Sequence, residues 1–303
     1  MPMIQYQALN MGKKRLELIE TANGIIGEYS AGGYTLTLRQ LYYQFVARGL
    51  IENSERSYKN LGNAIADGRM AGMIDWLAIE DRGRGVHPWL IEEDEREVLN
   101  GLEHGFALDY WKRQNAYVEV WVEKEALVSV IERPCGNLRV PYMACKGYLS
   151  ASEAWRAGRR FMRAEREGRR LVLIHLGDHD PSGIDMTRDN GERVELFSRE
   201  SGVEVRRIAL NMDQVDKYSP PPNPAKLSDS RAEDYVARFG YTSWELDALE
   251  PRVLDRLISD EIKTLIDQDV WDTTREEEEE RRTILAQLHD RFDDVTDFLR
   301  DTE

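Results

Sequence analysis

Long apolar runs are missing from this 303-residue chain: none would span a membrane, and none reads as a secretory signal. Cysteine is scarce, with Cys135 and Cys145 the only two and no metal-binding or redox spacing between them. That excludes a disulfide scaffold and, with the missing signal, leads us to expect a cytoplasmic protein without membrane attachment. His175 and His179 lack a His/Cys partner set, so zinc is not expected. A recognisable glycine-rich nucleotide-binding loop is also missing. No internal repeat is visible. Positive charge is short too, the net charge being −15, which argues against tight DNA binding by charge alone. The acidity is uneven, however. From Tyr241 to Glu303 there are 20 acidic and 8 basic residues, whereas residues 1 to 90 carry 9 and 10.

What the chain does contain is one informative strand end. Leu171-Val-Leu-Ile-His-Leu176 is apolar without alternation, as expected of a parallel strand covered on both faces. It stops at Gly177-Asp178-His179-Asp180, followed by Pro181-Ser182-Gly183 and a helical segment to about Arg199. Two carboxylates so placed lie where open α/β sheets bind ligands, and hard oxygen donors favour Mg²⁺. Read alone, a solvated Asp-rich turn remains the alternative. A second apolar strand, Tyr117 to Val122, delivers Glu123-Lys124 into a helix; Val140 to Ala144 and Val203 to Leu210 supply two more strands, with a helix over about Ala151 to Glu167. Alternating strands and helices predict a parallel sheet with Glu123, Asp178 and Asp180 at one edge.

Upstream, Thr37 and Gln40 form a capping box that starts a helix, and Leu38, Leu41, Tyr42 and Phe45 fall on one apolar stripe. Tyr43 points away from that stripe, with Arg39 one turn before it on a similar face. Tyr42 is therefore the expected core residue and Tyr43 the available one. On spacing alone, both tyrosines could equally serve packing, and Arg39 could be a solubilising charge. Ser54 to Ala71 predicts a further helix with Arg56, Lys59 and Arg69 available to DNA; Ile74 to Ile79 predicts a strand trailed by the basic loop Asp81-Arg82-Gly83-Arg84.

In order and context these motifs resemble one family. Glu123 and Asp178-x-Asp180 resemble the Toprim domain, and Thr37-Leu-Arg-Gln-Leu-Tyr-Tyr43 resembles the tyrosine motif of the topoisomerase VI A subunit and the meiotic double-strand-break proteins. Glu123-Lys124, Lys146-Gly147 and Asp178-x-Asp180-Pro-x-Gly183 match further motifs over roughly residues 35 to 210. Gln40 at a usual Asp position, and Ser182 at a position often aromatic, mark a divergent member. The resemblance implies an α/β fold, with a winged-helix domain over residues 1–90 followed by a Toprim-like parallel sheet and helical C-terminal elements over 91–303. It implies Mg²⁺-dependent breakage of double-stranded DNA through a tyrosyl intermediate, as in a type IIB topoisomerase. Tyr43 would be the nucleophile, Arg39 a phosphate ligand, and Glu123, Asp178 and Asp180 the metal ligands. It further implies a homodimer, Tyr43 of one subunit facing the carboxylates of the other, and a separate ATPase subunit for strand passage. Lys146 is either a phosphate contact or an ordinary surface lysine. Two other readings stand beside this one: a Toprim nuclease using metal-bound water, and a DNA-binding accessory protein without turnover.

Towards the C-terminus, Ser219-Pro-Pro-Pro-Asn-Pro224 predicts a stiff extended link and Pro251 to Asp267 a helix. Leu246-Asp-Ala-Leu249 resembles a recurrent C-terminal feature of the same wider family. The Glu276 to Glu280 run predicts a solvated face opening a last helix, with Ile284, Leu288, Phe292, Val295 and Leu299 as its apolar stripe. That stripe would pack on its own domain or on another subunit.

Overall fold

The computed structural model describes residues 3–80, 95–199 and 202–300. The expected domain boundary near residue 90 and the basic loop from Asp81 to Arg84 lie outside the described residues.

Three helices build the N-terminal unit: α1 (Lys13–Ala31), α2 (Leu38–Ala47) and α3 (Glu55–Met70), with two-residue strands β1 (Leu36–Thr37) and β2 (Ile79–Glu80). The capping box forms: the Gln40 amide donates to Thr37 Oγ1 at 3.2 Å, and the Thr37 amide to Gln40 Oε1 at 2.9 Å. Ile19, Leu41, Phe45, Leu61, Ile65 and Ile74 share one core. Two expectations need correction. The strand over Ile74 to Ile79 shrinks to β2, paired parallel to β1, because Asp75 turns the chain by accepting the Leu77 amide at 2.9 Å. Helix α2 is not one-sided either, since residues 40 to 45 are all buried, Tyr43 as deeply as Tyr42. Its second face is covered by a segment some two hundred residues downstream, the turn Leu246–Ala248.

After α4 (Glu95–Gly105), strands β3 (Ala116–Val122), β4 (Tyr142–Ala144), β5 (Arg170–Leu176) and β6 (Glu204–Ala209) form a wholly parallel sheet in the order β4-β3-β5-β6. Between them run α5 (Val128–Asn137), α6 (Ala151–Arg166) and α7 (Pro181–Ser198). Val118, Val120, Val122, Val172, Ile174 and Leu176 point to one face, with α5 and α10 (Pro251–Lys263). Trp121, Leu171 and Leu173 point to the other, with α6 and Val194 of α7. Burial on both faces is why β5 reads as a continuous apolar run.

Register fixes the edge that matters. Val122 pairs with both Ala144 and Leu176, and Leu176 with Ala209, so the residues after each strand emerge together. Downstream come α8 (Met212–Tyr218), an antiparallel ladder of β7 (Asn223–Pro224) with β8 (Thr242–Ser243), and α9 (Ala232–Phe239) between them. The last helix begins earlier than the sequence predicts: α11 spans Gln268–Asp290, and α12 covers Phe292–Arg300. The solvated glutamate face is corrected at Glu278. That residue is buried, accepts the Leu108 amide at 2.7 Å and pairs with Arg139 at 2.9 Å, because α11 lies against the chain before β3. Ile284 and Leu288 stay exposed.

Candidate functional site

Asp178 and Asp180 leave β5 on a loop that its own backbone and Gly183 hold tight. Asp180 caps α7, its Oδ1 accepting the Gly183 amide at 2.6 Å, while Pro181 supplies the first turn. A Cβ at Gly183 would stand 2.3 Å from the Asp178 carbonyl oxygen, so the close approach requires glycine. Behind the loop the buried Arg207 guanidinium donates to the carbonyls of Gly177 (2.9 Å), Asp178 (2.6 Å) and Gly183 (2.9 Å).

The three carboxylates singled out from sequence share one pattern. Glu123 Oε2 accepts the Asp178 amide at 2.8 Å, Asp178 Oδ1 the Leu246 amide at 2.8 Å, and Asp180 Oδ1 the Gly183 amide. Among the described residues no donor reaches the second oxygen of any of them. Backbone N–H groups thus hold each carboxylate and leave one hard oxygen donor open, a set that suits a divalent cation such as Mg²⁺. Among the described residues no group of three or more His, Cys, Asp or Glu side chains is placed to hold a metal ion as it stands. Instead the Lys124 ammonium stands among carboxylates, 2.9 Å from Asp178, 2.7 Å from Glu245 and 2.9 Å from Asp247.

The electrostatics follow from that crowding. Burial, reinforced by the charge of Asp178, pushes Glu123 up to about 7. Burial likewise lifts Asp178 to about 6, against the pull of Lys124. Glu245 moves the other way, down to about 2, because its ion pairs with Lys124 and Arg39 outweigh its burial. Glu123, Asp178, Asp180, Glu245 and Asp247 face Lys124, Arg39 and Arg207, leaving two formal negative charges that one divalent cation would offset.

Arg39 and Tyr43 reach this edge from α2. The Arg39 guanidinium bonds Glu245 and places Nε 2.8 Å from Asp247, so carboxylates already occupy the fork expected to meet phosphate. It also lies 5.8 Å from the centre of the Tyr43 ring. The two tyrosines differ in their oxygens. Tyr42 donates its hydroxyl to Asn53 Oδ1 at 2.9 Å and accepts the Ser54 amide at 2.8 Å. The Tyr43 hydroxyl has no hydrogen-bond partner among the described residues, and burial, then the charges of Asp247 and Glu245, raise its pKa well above the usual tyrosine range. Tyr42, Tyr43, Arg39, Asp178 and Asp180 line one open cavity of about 380 Å³, with Glu123 set behind Asp178. Within the single chain described here, Tyr43 and the aspartates thus already line the same cavity.

The segment that makes this possible went unassigned in the sequence. Trp244 forms a two-bond bridge with His179 (2.8 and 3.0 Å), Leu246 donates to Asp178, and Ala248 joins the core around α2. Glu245 and Asp247, two residues apart, then face both Lys124 and Arg39. Their only signal was Leu246-Asp-Ala-Leu249, and nothing in that string indicates which cations it meets. Lys146 sits exposed in a left-handed turn, 2.7 Å from Glu125. His175 and His179 are taken by Thr187 and Tyr235. Among the described residues no helix is long and apolar enough to cross a membrane. Set against known proteins, the chain matches no family model and no curated sequence.

Proposed function

We propose that this protein breaks duplex DNA through a covalent tyrosyl intermediate, with Mg²⁺ as its cofactor, in the manner of a type IIB topoisomerase A subunit. One observation carries the reading: Tyr43, whose hydroxyl is unengaged, lines the same cavity as Asp178 and Asp180. The open oxygens of Glu123, Asp178 and Asp180 would hold the cation, whose charge would stabilise the phosphorane-like transition state and the departing oxygen. Tyr43 Oη attacks phosphorus, forming a 5′-phosphotyrosyl bond as the P–O3′ bond breaks. The proton lost by the tyrosine balances the one gained by the 3′-hydroxyl. A phosphate entering the cavity competes with Glu245 for Arg39, and the exchange sets the guanidinium fork on the phosphate oxygens. Helices α2 and α3 would act as the core of a winged-helix-type DNA-binding unit. A homodimer would bring two such cavities to the two strands, and strand passage would need a separate ATPase subunit.

Hydrolysis by metal-bound water is the second reading. It is favoured by the raised Tyr43 pKa, which opposes ionisation of the hydroxyl. Incubation with duplex DNA and Mg²⁺, quenching in denaturant, and mapping of any linked residue decides between them. An adduct on Tyr43 is expected. Cleavage with no adduct establishes hydrolysis, and an adduct on Tyr42 rejects the assignment.

A further inference from the structure

Helix α6 carries a charge pattern opposite to that of the molecule. In a chain of net charge −15, residues 156 to 170 contain seven arginines against two glutamates. The inner face of α6 consists of Ala154, Ala157, Gly158, Phe161 and Ala164, packed on the sheet and on α7. The approach is so close that a Cβ at Gly158 would meet Phe197 at 2.5 Å. Everything on the opposite face is therefore committed to solvent.

The arginines divide into two groups. Arg156, Arg160, Arg169 and Arg170 each pair with a glutamate (Glu153, Glu119, Glu167 and Glu204). Arg159, Arg163 and Arg166 are exposed and have no ion-pair partner among the described residues; Arg159 touches only the Met162 sulfur, at 3.6 Å. Their spacing of four and three residues puts them on one stripe about 10 Å long, and Trp155, 53% exposed, extends it by one turn. Cations in a last helical turn are favoured by the helix dipole, which accounts for Arg163 and Arg166. It accounts for neither Arg159, in the middle of the helix, nor an exposed tryptophan in the second turn.

We infer that this stripe of α6 is a second contact surface for the phosphate backbone of duplex DNA, outside the catalytic cavity. Three unpaired guanidiniums over about 10 Å match two or three phosphates of one strand, roughly 7 Å apart, and Trp155 supplies an apolar flank for the sugar edge. The helix starts from the sheet edge that follows β4 and runs towards the opposite end of the sheet, Gly158 already lying against Phe197 and Ser198 at the end of α7, so the stripe is separate from the candidate site. The charge alone asks for a polyanion; that the polyanion is duplex DNA rests on the function proposed above.

The test is equilibrium binding of fluorescently labelled duplex DNA in EDTA, where no cleavage occurs, as a function of salt. R159Q/R163Q/R166Q should bind roughly tenfold more weakly at ~0.1 M salt, and its log–log salt slope should fall by about 2 to 3. Its melting temperature should match wild type, since no carboxylate loses a partner. W155A should weaken binding a few-fold with the slope unchanged. Equal affinity and slope for the triple variant and wild type would overturn the α6 site, as would a wild type that binds no duplex at any salt. The cavity is judged separately by the covalent adduct: a wild type that binds through α6 yet forms no adduct upholds the surface and rejects the tyrosyl chemistry.

Discussion

The parallel sheet and the tyrosine helix α2 meet at one cavity, yet they reached it by different routes. Strands β3 and β5 advertised themselves, because burial on both faces favours a nearly continuous apolar run, broken only by Glu119 in β3 and by Arg170 and His175 in β5. In α2, by contrast, the polar side chains Gln40 and Gln44 are as buried as Leu41 and Phe45. The sheet is enclosed mainly by α5, α6 and α7, which alternate with its strands, and on one face also by α10, whereas α2 is enclosed on one side by residues 246 to 248. At the sheet edge Asp180 is held locally by Gly183, whereas Glu123 and Asp178, like the tyrosine, are held by tertiary contacts, to the amides of Asp178 and Leu246.

Substitutions can break that comparison, beginning with the largest effects. Asp178→Asn keeps an acceptor for the Leu246 amide but loses the charge, and Tyr43→Phe removes only an unengaged hydroxyl. Each should lower covalent adduct formation at least ~100-fold with little change in melting temperature. A variant that retains more than a tenth of wild-type adduct in quenched gels would remove that residue from the mechanism. Asp247→Asn should act on both regions, since its buried carboxylate serves Lys124 and Arg39 together. Leaving those cations short of a partner should cost about 3 kcal/mol in urea unfolding, less if the half-exposed Arg39 turns to solvent. A loss under ~1 kcal/mol would mean that the two regions are not joined through Asp247.

Tyr42→Phe should show the reverse of Tyr43→Phe. Losing the bonds to Asn53 and Ser54 should cost about 1 kcal/mol while most of the adduct persists. If instead the adduct disappears with stability intact, the roles of the two tyrosines are exchanged.

The smallest effect is one of pH and belongs to the sheet edge alone. Glu123 at about 7 and Asp178 at about 6 bind protons more readily folded than unfolded. Their stabilisation of the metal-free protein is complete below the ordinary carboxylate range and is lost as pH rises through 6 to 7. A divalent cation needs both groups ionised, so saturating Mg²⁺ should raise the melting temperature more at about pH 8 than at about pH 5. Equal shifts at the two pH values in thermal melts would show that Mg²⁺ binds elsewhere.

The same contrast explains what was legible in the sequence. Glu123, Asp178 and Asp180 were found because each follows an apolar strand, and strand ends in a parallel sheet share an edge by construction. The capping box was legible because its two residues are three apart. The availability of Tyr43 was argued from helix periodicity, which describes one helix and says nothing about what covers its far side. Glu245 was invisible because its role comes from Lys124 and Arg39, more than a hundred and two hundred residues away. Glu278 was misread for the same reason: inside an acidic run, only its contacts with Leu108 and Arg139 distinguish it from its neighbours.

By itself the sequence determined the parallel strands, their helical cover, the turn that needs Gly183, and the carboxylates at the strand ends. Each of these is set by burial or by bonds within a few residues. Tertiary structure alone decided that the segment from Trp244 to Ala248 would bridge α2 and the Asp178 loop, and that Tyr43 would share a cavity with its own chain's carboxylates. Contacts between distant segments depend on which surfaces are left uncovered once local elements have formed, and no local pattern in the chain encodes that.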